Sequence, residues 1–171
     1  MATFAKPENV RGNEISMINI QDIINELSDL VEDLKYNLNE DDLVLKASNE
    51  DGFDIKIFFH PRESFIVYGN GGAHDHFNHN ERSFEELILN LLEGLIGRMR
   101  IIEFSWDGQP KRFHFQTIND NETWDTLHKL NFPKWKFWLK NKEIQKRILI
   151  NDYNLKQDTS NTRLTKKPKS I

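Results

Sequence analysis

The chain contains no cysteine in 171 residues. That absence excludes thiolate zinc sites, thiol nucleophiles and disulfide frameworks, so any bound metal would rest on imidazole and carboxylate groups. Long apolar runs are missing as well: no charge-free window approaches the roughly 18 residues that suggest a bilayer span. The opening stretch MATFAKPENVRGNEIS shows neither an uninterrupted apolar core nor a small-residue cleavage pattern, so it does not read as a secretory signal. The expectation is a soluble, cytoplasmic protein with no membrane partner. Internal repeats are also lacking.

What is present is enough chain for one hydrophobic core. Residues 1–17 read as a loosely ordered lead-in, 18–155 as one domain, and 156–171 as a polar, basic, disordered tail with little apolar surface to offset ordering entropy. The net charge of −4 conceals an uneven distribution. Residues 1–60 carry 5 lysines and arginines against 13 carboxylates, whereas residues 111–171 carry 14 against 6. Such a split suits either two different partners or mutual attraction within one fold.

Periodicity supplies the elements. Ile20, Ile23, Ile24, Leu27, Leu30, Val31, Leu34 and Leu38 recur at helical spacing and predict one amphipathic helix ending before Asp41. Three alternating segments, 43–47, 54–59 and 64–68, separated by turn-like residues, predict an antiparallel meander. Ser83 with Glu86 forms a capping box before the stripe Leu87, Ile88, Leu91, Leu92, Leu95, and Gly97 marks the stop. Segments 100–106 and 111–117 flank Asp107-Gly108 as a hairpin. Residues 119–130 fit a short helix holding Trp124, Leu127 and Leu130, and 134–150 fits either a helical face (Trp138, Ile144, Ile148, Leu149) or, the reading preferred, a second hairpin turning at Asn141-Lys142. The sum is an α+β fold, a largely antiparallel sheet packed with two amphipathic helices.

Half of the six histidines fall in FIVYGNGGAHDHFNHNE, residues 65–81. His74, His76 and His79 give H-x-H-x-x-H, and imidazoles two apart on an extended strand face one way, which suits zinc or another divalent metal with Asp75 or Glu81 assisting. A metal-dependent hydrolase is the function that this cluster implies. HDHFNH resembles the metallo-β-lactamase motif H-x-H-x-D-H, but Asn78 stands in the aspartate position and the glycines precede the motif. That family is set aside. The plainer reading is a set of structural imidazoles holding a joint between sheet and helix.

Asp22, Glu26, Asp29 and Asp33 fall at i, i+4, i+7 and i+11, and Asp41 and Asp42 follow. A stripe of this kind is ordinarily a solvated face; its functional reading is a docking surface for a basic partner. Trp135, Lys136, Phe137, Trp138, Lys140 and Lys142 interleave rings and cations in the manner of single-strand binders. The overall acidity argues against a nucleic-acid partner.

The succession Gly-Gly-x-His-Asp-His-Phe, a helix, a Gly108-x-Pro110 hairpin with alternating Phe113 and Phe115, then Phe137-Trp138, resembles small uncharacterised bacterial proteins of the immunity type. The resemblance implies a non-enzymatic module that neutralises a toxin by binding it, here with Asp22, Glu26, Asp29, Asp33, Asp41 and Asp42 as the binding face and no catalytic residue.

Overall fold

Asn19 caps the first helix, α1 (Ile20–Leu30), its side-chain oxygen accepting the Gln21 N–H at 2.9 Å. This computed structural model describes residues 19–39, 42–60, 62–70, 73–79, 82–106, 108–131 and 144–156. The expected lead-in, nearly all of the expected tail, and the Asn141-Lys142 turn lie outside the described residues.

α1 buries Ile23, Ile24 and Leu27 and stops eight residues short of Leu38. The C-terminal segment ends it. Lys156 N–H donates to the Leu30 carbonyl and Glu32 N–H to that of Asn154, while Val31 forms a bridge with Leu155. Asp33 then takes a left-handed backbone (φ 49°), and the chain continues as strand β1 (Tyr36–Leu38). The helical period past Leu30 loses to a tertiary backbone partner.

β1 opens a five-stranded antiparallel sheet with β2 (Asp42–Leu45), β3 (Ile55–Phe59), β4 (Glu63–Tyr68) and β5 (Ala73–Asn78), paired in chain order. The predicted meander is thus correct but longer, gaining a strand at each side. Leu43, Leu45, Ile55, Ile57, Ile66, Tyr68, Ala73 and Phe77 line one face and share a core with both helices. β5 contains the histidine stretch. Far from being an irregular joint, His74-Asp75-His76 is an edge strand registered against Val67, Ile66 and Phe65.

The second helix, α2 (Phe84–Leu95), has the predicted box: Ser83 Oγ accepts the Glu86 N–H at 3.2 Å and the Glu86 carboxylate accepts the Ser83 N–H at 3.1 Å. Gly97 closes it at φ 80°, with Arg98 N–H donating to the Glu93 carbonyl. Among the described residues no helix is long and apolar enough to cross a membrane.

A second antiparallel sheet follows, in the order β8-β7-β6-β9, from β6 (Met99–Trp106), β7 (Gln109–Ile118), β8 (Trp124–Asn131) and β9 (Gln145–Ile150). The hairpin around Gly108 is as expected. β8 replaces the short helix expected there. Asn119 closes its turn, its Oδ1 accepting the Asn121 and Thr123 N–H groups at 3.0 Å each, with Glu122 left-handed at φ 58°. A bulge pairs Phe115 with His128 and Gln116 with Thr126, leaving Leu127 as the extra, exposed residue. That one-residue slip makes Trp124, Leu127 and Leu130 look helical. The inner face of this sheet, with Met99, Ile101, Phe113 and Phe115, joins the same core, and Phe115 lies 4.9 Å from the Tyr68 ring.

Candidate functional site

On a strand, alternate residues part to opposite faces, and β5 divides the histidine stretch accordingly. His74 and His76 project from the outer face of the first sheet, with ring centroids 5.6 Å apart. Phe65, their neighbour on β4, sits 5.0 Å from one and 4.8 Å from the other. Phe58 extends the cluster across β3, 6.3 Å from Phe65. The outer cross-strand row therefore reads Asp42, Phe58, Phe65, His76.

His79 belongs to the other side. Its Nε2 is 2.9 Å from Ser64 Oγ, and Ser64 is fully buried beside Phe77 on the core face. Its Nδ1 is buried without a hydrogen-bond partner among the described residues. Burial lowers the His79 pKa, because it penalises the charged imidazolium, opposed in part by the Glu63 carboxylate. Asp75 also faces inward and is held by Arg82 at 3.0 Å, whose guanidinium in turn covers the Phe77 ring at 4.5 Å. Burial first, and then the Asp75 charge, drives the Tyr68 phenol far above its ordinary range.

The three imidazoles therefore do not converge. His74 and His76 share a face, and His76 is 3.7 Å from the Glu63 carboxylate. No group of three or more His, Asp or Glu among the described residues is placed to hold one metal ion. Glu81 lies outside the described residues.

The acidic residues also separate. Asp22, Glu26 and Asp29 are exposed along α1, and Asp33 is exposed in the turn beyond it rather than on the helix. Asp22 in the first turn complements the helix dipole. None of these four makes an ion pair among the described residues. Asp42 is elsewhere: it points away from the core that α1 covers and stands opposite Phe58. Asp41 lies outside the described residues.

Comparison with protein-family models, with curated proteins and with solved structures finds no match for this chain. The geometry alone carries the functional argument.

Two groups of residues are not apparent from the sequence. Alternation puts Phe58 and Phe65 out of phase with the core residues of their strands, but only cross-strand register brings them together beside the histidines. The outer face of the second sheet is hidden when β8 is taken for a helix, which separates Trp124 and Lys129 from Arg100 and His114. The signal available is the alternation Arg100, Ile102, Phe104 against Arg112, His114, Gln116.

Proposed function

We propose that this chain is a non-enzymatic protein-binding module that docks a basic partner through the exposed acidic side of α1. The observation carrying this reading is that Asp22, Glu26 and Asp29 line one solvent face of a capped helix whose other side is anchored in the core. Carboxylates so placed give a fixed field that speeds encounter with a cationic surface and rejects an anionic one. A toxin domain whose own ligand is phosphate presents such a surface, and neutralisation by charge mimicry fits the arrangement.

A metal-dependent hydrolase built on His74, His76 and His79 is less well supported. It needs a third ligand beside the exposed pair, and His79 is committed to Ser64 on the far side of the sheet.

The test is binding of the protein encoded beside this one, measured by calorimetry at two salt concentrations for the natural chain and for D22K/E26K/D29K. Nanomolar affinity that weakens with salt and falls by about 100-fold or more in the reversal variant is expected, since each close charge pair removed costs a kilocalorie or more. Tight binding indifferent to the reversal would move the interface off α1. No binding at low salt would end the proposal.

A further inference from the structure

The outer face of the second sheet carries cations and rings in register. Its central cross-strand rows are Thr126, Gln116, Arg100, Ile150; then Lys129, His114, Ile102, Ile148; then Asn131, Arg112, Phe104, Lys146. Four cations occupy these rows and no carboxylate does. The sheet's acids, Glu103 and Asp125, fall at register positions of the opposite face, across from Phe113 and Thr117.

Two of the four cations lie over rings. The Arg100 guanidinium lies 4.0 Å over the Trp124 ring, and its Nε donates to Gln116 Oε1 at 2.8 Å; Gln116 in turn donates to Thr126 at 2.8 Å. Arg112 stands 5.8 Å over Phe104, which meets His114 edge-on at 4.9 Å. Burial, then Lys129 and Arg112, lowers the His114 pKa, which places those two cations around one imidazole. Arg112, Lys129, Lys146 and Thr126 are exposed, and Ile148 is 40% exposed.

From this arrangement we infer that the outer face of the β8-β7-β6-β9 sheet binds single-stranded nucleic acid. The antiparallel sheet carries exposed cations on β7, β8 and β9 around the buried Ile102, and these can meet the phosphates of a strand laid across it. The Arg100 guanidinium, bonded to Gln116 and lying over Trp124, together with the nearby Phe104 ring supplies stacking surfaces for bases, which a carboxylate-bearing protein segment would not require. The net charge of −4 does not oppose this, because no carboxylate stands in these cross-strand rows and the described acids Asp22, Glu26 and Asp29 belong to α1. The inference is independent of the α1 reading: it uses a different face and the opposite charge.

The test is fluorescence anisotropy with labelled single-stranded DNA and RNA of about 12 nucleotides, within the usual range for one such module. Expected is micromolar or tighter binding at low salt, with log affinity falling linearly in log salt. R112Q/K129Q/K146Q, all exposed changes, should weaken binding at least tenfold and flatten the salt slope by about 0.7 for each phosphate no longer neutralised. W124F should remove a tryptophan quench that the natural chain shows on binding. D22K/E26K/D29K should bind no more weakly than the natural chain. Absence of binding at low salt, or affinity unmoved by the triple variant when circular dichroism shows it folded, would overturn the inference. Equal displacement by polyglutamate at matched charge would also overturn it, in favour of an acidic protein partner.

Discussion

Asn151 donates through Nδ2 to the Gly94 carbonyl in the last turn of α2 at 3.0 Å, and the same nitrogen reaches the Phe53 carbonyl at 3.0 Å. Its Oδ1 accepts the Phe53 N–H at 3.1 Å. One amide, 1% exposed, thereby satisfies backbone groups from the first sheet's β2–β3 connection and from α2. Replacement by alanine strands those groups in the core, and each orphaned buried polar group costs about 1–3 kcal/mol. N151A is expected to lose about 3 kcal/mol in urea unfolding followed by tryptophan fluorescence. N151D should be no better, since it sets a carboxylate against two carbonyl oxygens. A loss under about 1 kcal/mol in N151A would mean that water replaces the amide.

Gly94 offers a second check because two general rules conflict there. Alanine in place of a helical glycine ordinarily gains up to about 0.5–1 kcal/mol, and less in a last turn such as that of Gly94. Here a Cβ would come within 2.7 Å of Ile55 Cδ1, and Ile55 is fully buried. Overpacking of that kind costs about 1–3 kcal/mol, so G94A is expected to destabilise by about 1 kcal/mol net. Ile55→Val removes the offending methyl. The double variant should therefore be more stable than the two single changes added together, and a strictly additive cycle would contradict the contact.

Acid should loosen the fold through its histidines. The pKa values of His79 and His114 both lie below their ordinary value of 6.5 in the folded chain, chiefly from burial. The unfolded chain takes up these protons first as pH falls. Their contribution is therefore neutral well above 6.5, and stability is lost as pH drops from there through the lower folded values. H79Q, which keeps a polar atom toward Ser64 but cannot titrate, should show a smaller fall in urea midpoint between neutral pH and pH about 5. An unchanged fall would assign the acid sensitivity to other groups.

The elements most legible in the sequence are those fixed by local chemistry. The Ser83–Glu86 box and Gly97 name both ends of α2, and the hairpin at Gly108 follows from its dipeptide. The elements that sequence misjudges depend on partners distant along the chain. α1 looks longer because Leu34 and Leu38 continue its period, yet Asn154 and Lys156 decide where it ends. β8 looks helical because a bulge at Leu127 shifts its alternation by one. Of the site, the acidic positions on α1 are readable from spacing, whereas Asp42 separates from them only through the register of β2 against β3. The histidines pose the same difficulty, since only strand geometry divides His79 from His74 and His76.

The hydrogen bonds around Asn151 and Tyr153 span the chain: Asn151 to Phe53 crosses 98 residues and Tyr153 to the Lys46 carbonyl crosses 107. During synthesis α1 and the first sheet leave the ribosome long before the segment that terminates the helix and caps the β2–β3 connection. Until that segment arrives, the backbone groups of Phe53, Leu30 and Gly94 have only water to bond. A nascent chain halted before β9 would therefore hold a first layer without the Asn151 amide for Phe53 and Gly94 and without the Lys156 N–H for Leu30.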